Sequence, residues 1–483
     1  LLQGNPLAFV YSRLEPGELH PVALAMNLLN YDAAAIGNHE FNYGIPHLNQ
    51  VVESLEFPFL SANIFLPGSD QHAYTPYAMV EREVGGRTLR VGITAVTPPG
   101  VLIWDRDNVA GRLDFRDIVA SVRPVVAEMR ARGADVVMIA AHSGLAGSSY
   151  DTAATGVPVE NAAAAMAHEI PGIDVIFMGH SHRELADTTI ARTLLLQAKN
   201  WAASLAVAEL EMVADAAGEW RVEAKRGRIL RPEKRPVDAR FAAALSGAHE
   251  RTRAYVTQRI GTSSAVWSAD SARVHDTAIL DLINEIQREV TGADLSGTAA
   301  FSLSSTIPRG PVTVADVAGL YIYDNTLKAV RISGEQLRAY LEKSAEYYLP
   351  CPGARCDRLV NPAVAGYNFD VVSGVDYTLD LTRPVGARVV RLERDGTPVL
   401  PSDSFTIALN NYRASGSGGF SMFIDAPVVY DRGEGIRELL VEAIRRRGTL
   451  GPADVFRRNW TIIPTALAER ALREQRRPDP GAR

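Results

Sequence analysis

Cysteine is scarce in this chain, which has only two among 483 residues. Both lie in the segment LPCPGARCDRL, as Cys351 and Cys356. Two thiols so close together, in a turn rich in proline and glycine, favour a small disulfide and an oxidising compartment. The alternative of two free thiols stays open at this point.

Long apolar runs and an excess of positive charge are also missing. No apolar stretch approaches the roughly 18 to 20 residues that a bilayer span requires, so no membrane-spanning segment is expected. A net charge of −6, with 47% hydrophobic and 22% charged residues, is typical of a globular protein. Binding to a nucleic-acid polymer needs a strong local excess of Lys and Arg, which makes such a polymer an unlikely main partner. Small anionic substrates remain compatible with this charge.

The chain begins LLQGNP, without an initiator methionine and without a charged segment followed by an apolar one. We therefore expect a fragment or a processed form, in which a signal peptide is not visible.

The pattern of residues predicts two domains. Apolar runs typical of strands alternate with helical stretches over residues 1–232, which indicates a layered α/β domain. Residues 233–260 form a basic, proline-containing linker and a connecting helix with Asp238 as its N-cap. A second α/β unit is expected over 261–466, followed by a charged tail, 467–483, that we expect to be disordered.

Three short stretches of the first domain share one pattern: AIGNHEF, IAAHSGL and FMGHSHRE. In each, a predicted strand ends in small residues that are followed at once by Asn or His. Open α/β sheets build their sites at such strand ends. The residues placed there are Asn38, His39, His142, His180 and His182.

These side chains suggest a metal centre. A single His is more often structural than functional, but three such strand ends in one domain reverse that expectation. The pair His180 and His182 suits two metals about 3.5 to 4 Å apart. The mixed nitrogen and oxygen set favours Mn, Zn, Co or Fe over Mg. All these ligands are neutral, whereas two divalent cations need carboxylates, so the set is incomplete.

The motifs resemble those of the calcineurin-like metallophosphoesterases, in the branch that carries a 5′-nucleotidase-type C-terminal domain. Gly37 to Glu40, His142 and Gly179 to His182 match the last three motifs of that family. The resemblance implies a four-layer β-sandwich flanked by helices, with Asn38, His142 and His180 on one metal and His182 on the other. It also implies that His39 stabilises charge or protonates the leaving oxygen, and that the acidic ligands precede Leu1. The fragment is then expected to bind metal weakly and to have little activity.

Two segments of the second domain are similar to the family's substrate-binding segments: LYIYDNTLK (320–328) and NNYRASGSGGF (410–420). By this resemblance Tyr323 and Tyr412 sandwich a nucleobase, and Asn325 contacts its edge. The other substrate-binding residues implied are Arg413, Gly416, Gly418 and Gly419.

Two departures select a branch of the family. The place of a Gly-Gly-x-Arg stretch found in many 5′-nucleotidases reads FSLSSTIPRGPVT, with Arg309 a few residues on. Asn42 stands where 5′-nucleotidases carry an Asp that pairs with the histidine of the motif. GNHEFNYG, together with YNFDVVSGVDYTLDLT (367–382), is most similar to the bacterial 2′,3′-cyclic-nucleotide 2′-phosphodiesterases/3′-nucleotidases.

The expected protein is thus a periplasmic or extracellular, monomeric hydrolase of nucleotides that uses two divalent metal ions. A 5′-nucleotidase or nucleotide-sugar hydrolase is the nearest alternative. A thiosulfohydrolase of the same plan is disfavoured because Tyr323 and Tyr412 suit a base. A non-catalytic nucleotide-binding surface protein is the alternative of another class.

Overall fold

The computed structural model describes residues 1–215, 218–233, 235–352 and 356–476. The chain divides into two compact units, Leu1–Arg251 and Thr252–Arg483. Both units combine helices with strands, so the expected mixed α/β class is confirmed. None of the described helices is long and apolar enough to cross a bilayer.

The helices of the first unit are α1 Pro6–Phe9, α2 Pro21–Leu28, α3 Ile45–Glu53, α4 Val101–Trp104, α5 Arg106–Val109, α6 Ile118–Ala131, α7 Thr152–Thr155, α8 Ala163–Glu169 and α9 Ala239–Val256, which crosses the unit boundary. Its strands are β1 Ala34–Ala35, β2 Phe59–Leu60, β3 Ile64–Phe65, β4 Tyr77–Val84, β5 Arg87–Val96, β6 Asp114–Phe115, β7 Val136–Ala141, β8 Val175–Met178, β9 Leu185–Ile190, β10 Thr193–Gln197, β11 Leu205–Ala214 and β12 Trp220–Leu230.

A six-stranded sheet of order β4-β5-β7-β8-β10-β9 forms the centre of the first unit. Strands β5, β7, β8 and β10 are parallel, and β4 and β9 run antiparallel at the edges. Leu195 packs into the same core as helices α6 and α8. Its neighbours Leu194 and Leu196 face the hairpin β11–β12 instead, because successive strand residues point to opposite faces. The unit is therefore layered as helices, sheet and hairpin.

The strands predicted to end just before His142 and His180 are confirmed as β7 and β8. The connecting helix is α9, and the Asp238 carboxylate caps it by accepting a hydrogen bond from the Arg240 N–H at 2.8 Å.

The helices of the second unit are α10 Ala278–Thr291, α11 Val314–Leu320, α12 Gly334–Ala345, α13 Asn411–Ala414, α14 Ile436–Arg447, α15 Pro452–Val455 and α16 Thr465–Gln475. Its strands are β13 Arg259–Ser263, β14 Trp267–Ser268, β15 Leu295–Ala299, β16 Thr306–Ile307, β17 Gly310–Thr313, β18 Thr326–Ser333, β19 Asp370–Ser373, β20 Asp376–Asp380, β21 Val389–Arg394, β22 Thr397–Pro398, β23 Ser404–Asn410, β24 Val428–Gly435, β25 Thr449–Leu450 and β26 Trp460–Ile463.

A five-stranded sheet of order β19-β15-β23-β18-β24 carries the second unit. Strands β18 and β23 are antiparallel, with Leu327 opposite Asn410. The start of β18 therefore lies beside the end of β23. The chain just before β18 and the chain just after β23 meet at one end of this sheet, and these are the two predicted substrate-binding segments.

The prediction of a disordered tail over 467–483 is wrong for its first part. Residues 465–475 form helix α16, and Leu467, Ala468, Ala471 and Leu472 join the core of the second unit. Small and aliphatic residues at this helical spacing make an apolar face despite the surrounding charges. Residues 477–483 lie outside the described part of the chain.

Cys351 and Cys356 form a disulfide, with their Cα atoms 5.2 Å apart. This confirms the pairing favoured by the sequence and excludes the two free thiols.

Candidate active site

Three of the five residues predicted at the sheet edge are brought together. Asn38 follows β1, and its Oδ1 lies 2.8 Å from Nε2 of His142, which follows β7. The rings of His142 and His180 have centroids 5.4 Å apart. His180 follows the next strand, β8, so parallel strands deliver both imidazoles to the same edge. The structure thus brings one amide oxygen and two imidazoles into one cluster.

Gly37 allows this approach because it has no side chain. A Cβ at Gly37 would come within 2.9 Å of the His142 ring and 2.7 Å of Glu40 Oε2. The Gly37 N–H donates to that Glu40 oxygen at 2.7 Å. Glu40 therefore orders the turn Asn38–Phe41.

His180 and His182 adopt left-handed backbone conformations, with φ of 64° and 56°. Such conformations are costly for residues other than Gly and cluster at functional sites. His180 lies beside the other ligands, whereas His182 is exposed. Within the described residues, no ring contact or hydrogen bond joins His182 to Asn38 or His142.

Glu160 was not predicted, yet it contacts a predicted ligand. Its Oε1 lies 2.7 Å from Nε2 of His180, and its Oε2 accepts hydrogen bonds at 2.7 Å from the Ser149 N–H and hydroxyl. Burial raises the pKa of Glu160, but the hydrogen bonds from His180 and Ser149 outweigh it and hold the pKa below its usual value. An ionised Glu160 only accepts hydrogen bonds, so His180 Nε2 is the donor.

His39 is held by a chain of hydrogen bonds. Its Nδ1 lies 2.7 Å from Asn42 Oδ1. The Asn42 amide Nδ2 donates in turn to both carboxylate oxygens of Asp105, at 2.9 and 3.0 Å. Burial lowers the pKa of His39, against the opposing effect of the Asn42 hydrogen bond, so the imidazole is neutral near pH 7.

Two adjacent residues that the sequence did not single out flank the cluster. Trp104, at the end of α4, stacks on His180 with ring centroids 5.4 Å apart and an interplanar angle of 30°. Its Nε1 has no hydrogen-bond partner among the described residues. Asp105 follows it and is only 5% exposed. Burial raises the pKa of Asp105 to about 6, against the hydrogen bonds from Asn42 and Asn108.

The donor set fits one side of a metal centre. Burial, with His180 close by, lowers the pKa of His142 to about 3, so its ring is neutral and has a lone pair to offer. An amide oxygen and imidazole nitrogens are suitable ligands for Mn, Zn, Co or Fe. Over the described ranges, no group of three or more His, Cys, Asp or Glu side chains is placed to hold a metal ion. The cluster alone is therefore a neutral, partial site.

In the second unit, the two predicted substrate segments are joined directly. The Thr326 N–H, next to Asn325, donates to Asn411 Oδ1 at 3.1 Å. Tyr323 makes edge-to-face contacts with Phe301 and Tyr367, at centroid distances of 5.0 and 6.4 Å. Tyr323, Asn325 and Tyr412 are all partly accessible. The stacking of a base between Tyr323 and Tyr412 stays a prediction.

Arg413 is buried and held by other protein groups. It is 3% exposed, and its guanidinium bonds both oxygens of Asp370, at 2.6 and 3.1 Å. It also donates to the carbonyls of Ser417 and Tyr367, at 2.9 and 3.1 Å. Asn368 Oδ1 lies 3.4 Å from both Nη1 and Nη2, so each guanidinium nitrogen has a protein acceptor. Arg413 therefore holds the loop, and its contact with substrate stays a prediction.

The glycines of the same loop are required by its conformation. Gly416, Gly418 and Gly419 have φ of 84°, 74° and 82°. A Cβ at Gly418 would lie 2.7 Å from Nη1 of Arg413 and 2.6 Å from Asn368 Oδ1. Gly418 thus lets the loop close over Arg413, and the contact of the three glycines with a ligand stays a prediction.

The comparisons with known proteins agree with this fold and these motifs. The 5′-nucleotidase C-terminal domain family matches residues 259–425. The fold is similar to that of a candidate 5′-nucleotidase of Staphylococcus aureus solved with α-ketoglutarate: the identity is 26%, the TM-score is 0.80, and 95% of this chain and 89% of that one are covered. A 5′-nucleotidase precursor of Thermus thermophilus shares the fold at 24% identity and a TM-score of 0.64, over 95% and 92% of the two chains.

Curated relatives define the branch. The chain is 30% identical to a 2′,3′-cyclic-nucleotide 2′-phosphodiesterase/3′-nucleotidase of Haemophilus influenzae, over 96% of this chain and 79% of that protein. It is 29% identical to the trifunctional nucleotide phosphoesterase YfkN of Bacillus subtilis, over 96% of this chain but only 35% of that longer protein. The chain belongs to the family of the 2′,3′-cyclic-nucleotide 2′-phosphodiesterases/3′-nucleotidases, which are hydrolases of phosphoric esters.

Proposed function

We propose that the protein opens 2′,3′-cyclic nucleotides by hydrolysis of the 2′ ester bond and then removes the 3′-phosphate. The convergence of Asn38 with His142 and His180, which follow the parallel strands β7 and β8, is the observation that carries this proposal. The names of the relatives at 30% identity supply the substrate class. Asn42 in place of the aspartate of 5′-nucleotidases supports this branch.

Enzymes of this class generally depend on divalent metal ions. In the proposed site, Asn38, His142 and His180 would hold one ion and His182 a second, with further acidic ligands needed to complete both. Two such ions supply Lewis acidity, which neutralises the phosphoryl oxygens and activates the attacking water. Mn, Zn, Co and Fe suit the donor set best.

His39 is the proton-handling residue in this proposal. Its Nδ1 is engaged by Asn42, which leaves Nε2 for the substrate. That nitrogen carries no proton in the neutral ring, so it must first accept one from the attacking water. The protonated ring can then stabilise charge on the phosphoryl group or pass that proton to the leaving ribose oxygen.

The nucleoside is proposed to bind to the second unit. Tyr323 and Tyr412 offer aromatic faces to the base, and Asn325 offers a polar contact to its edge. Base stacking on aromatic side chains contributes about 1 to 3 kcal/mol and tolerates different bases. The backbone amides of Gly416, Gly418 and Gly419 would approach the ligand closely, while Arg413 fixes the loop from below.

We further propose that the protein works as a monomer in the periplasm or outside the cell. The disulfide Cys351–Cys356 supports an oxidising compartment.

Hydrolysis rates for 2′,3′-cyclic AMP, 3′-AMP and 5′-AMP, measured with Mn²⁺ or Co²⁺, test the proposal. We expect the first two to be substrates, and a clear preference for 5′-AMP would refute the branch. Nucleotide binding without turnover, measured by calorimetry, would instead indicate a non-catalytic nucleotide-binding protein. His39→Ala serves as the active-site control, and His249→Ala, on the exposed face of α9, serves as the matched histidine control.

A further inference from the structure

The segment after β5 brings the buried carboxylate of Asp105 into contact with the Asn42 amide, which in turn contacts His39. Helix α4 ends at Trp104, and Asp105 follows it. The Asp105 N–H donates to the Val101 carbonyl at 3.0 Å, and its own carbonyl accepts from the Asn108 N–H at 2.9 Å. This backbone is therefore fixed on both sides of Asp105. Its side chain is directed to the Asn42 amide, 63 residues earlier in the chain.

The Asn42 amide has only one orientation that satisfies both of its neighbours. A carboxylate can only accept hydrogen bonds, so the Asn42 NH₂ group must face Asp105. Both Asp105 oxygens lie within 3.0 Å of that nitrogen. The amide oxygen is then turned to His39, whose Nδ1 lies 2.7 Å away and must carry the proton. Nε2 of His39 is left without a proton in the neutral ring.

We propose that Asp105 is a positioning residue for His39, acting through the Asn42 amide, which it orients so that His39 holds its proton on Nδ1. In 5′-nucleotidases an aspartate pairs directly with the histidine of the motif, whereas in this chain the Asn42 amide lies between the Asp105 carboxylate and His39. The inference rests on the proposed function, because it concerns the histidine assigned to proton handling there.

Neighbouring contacts favour this role over a merely structural one. Asp105 is 5% exposed, and none of the ion pairs among the described residues includes it. A buried carboxylate without a cationic partner is costly unless hydrogen bonds stabilise it. The polar side chains that face it are amides, Asn42 at 2.9 Å and Asn108 at 3.4 Å. Its strongest hydrogen bonds lead to the amide that contacts His39.

The first test reads the tautomer of His39 in the metal-free protein and needs no turnover. Nitrogen NMR of histidine-labelled protein at neutral pH distinguishes protonated from bare ring nitrogens, and His39→Gln assigns the signals. We expect Nδ1 to be protonated and Nε2 bare. In Asp105→Asn the Asn42 amide can turn round, so we expect the Nε2-protonated form to become substantial. Asp107→Asn removes a negative charge at an exposed site two residues on and should leave the tautomer unchanged.

The second test exchanges the two side chains. Asn42→Asp sets a carboxylate against Asp105, and like charges at that distance repel. The double variant Asn42→Asp/Asp105→Asn restores one carboxylate and one amide in the opposite order. With 2′,3′-cyclic AMP, each single variant should lower kcat roughly tenfold or more while KM changes little. The double variant should recover most of that loss, because the two sites are coupled.

Several results would overturn the proposal. A bare Nδ1 in the unmodified protein would do so, as would an Asp105→Asn tautomer equal to that of Asp107→Asn. If the fold losses in kcat of the two single variants simply multiply in the double variant, Asn42 and Asp105 are not coupled. If Asp105→Asn alone does not fold, the double variant decides between the outcomes. A native-like melting curve together with a His39 protonated on Nδ1 supports the proposed role of Asp105. Any other tautomer of His39 refutes that role. Absence of turnover with every nucleotide would refute the proposed function and leave the tautomer result standing.

Discussion

Glu160 accepts a hydrogen bond from His180, with 2.7 Å between Oε1 and Nε2. Because Nε2 donates, Nδ1 is the nitrogen of His180 that keeps a lone pair for a metal. A carboxylate behind a ligating histidine fixes the ring and raises its basicity, and its loss typically weakens metal binding about 10- to 100-fold. We therefore expect Glu160→Ala to lower Mn²⁺ or Zn²⁺ affinity by such a factor in titration calorimetry.

The matched control for this prediction is Glu169→Ala. Glu169 ends helix α8, is exposed, and pairs with Arg123 at 3.4 Å. Its removal should leave metal affinity unchanged. Equal affinities for Glu160→Ala and the unmodified protein would mean that His180 is not oriented by Glu160.

Part of the candidate site could be predicted from the sequence alone. His142 and His180 were predicted because each follows the end of a strand, and β7 and β8 are parallel neighbours that end at the same edge. Asn38 was predicted at the same edge, but its strand β1 pairs with β2 in a separate two-stranded sheet, and Asn38 reaches the cluster through its contact with His142. Asp105 was missed because eight residues separate it from the end of β5 and it carries no metal-ligand pattern. The signal that could have found it is its position after a strand of the same sheet.

Other features depend on contacts that the local sequence does not encode. Glu160 reaches His180 from a loop that begins at the end of β7, and only folding brings the two together. Arg413 lies inside a motif of substrate-binding residues, so the resemblance assigned it to substrate. Its burial depends on Asp370, a residue 43 positions away.

Asp105 should make the stability of the first unit depend on pH. Its pKa is raised by burial from an ordinary value of 3.8 to about 6, so the folded state binds the proton more tightly. The free energy of unfolding should then fall as pH rises from about 4 to about 6 and level off above. The rise of the Asp105 pKa from 3.8 to about 6 corresponds to about 3 kcal/mol at most.

Chemical unfolding of metal-free protein at pH 4 to 8 measures this dependence. Asp105→Asn should lack it, so the variant should gain stability relative to the unmodified protein as pH rises through this window. Asp107→Asn should keep it. A variant Asp105→Asn whose stability tracks that of the unmodified protein at every pH would show that Asp105 does not titrate abnormally.

Tyr323 and Tyr412 should contribute to nucleotide affinity through their rings. We expect Tyr323→Ala and Tyr412→Ala to weaken binding of a nucleoside monophosphate by about 1 to 3 kcal/mol in calorimetry, with similar losses for adenine and uracil nucleotides. Phenylalanine at either position keeps the ring and should retain affinity. Loss of binding in the Phe variants would point to the hydroxyl groups, and unchanged binding in the Ala variants would exclude the stack.

Arg413 and Asp370 should be essential to the fold of the second unit. Both side chains are at most 5% exposed, and Arg413 also lies over the Phe420 ring at 3.8 Å. Removing one partner of a buried ion pair leaves an uncompensated charge and costs about 3 to 5 kcal/mol. Arg413→Met should therefore destabilise the protein by that amount in denaturant unfolding. Arg432→Met, which removes an exposed arginine lying 5.2 Å from the Tyr430 ring, should change stability by less than about 1 kcal/mol.

Because Arg413 acts through the loop, Asp370→Asn should weaken nucleotide binding in proportion to its own loss of stability. Weakened nucleotide binding by Arg413→Met in a fully stable protein would instead support the predicted substrate contact of Arg413.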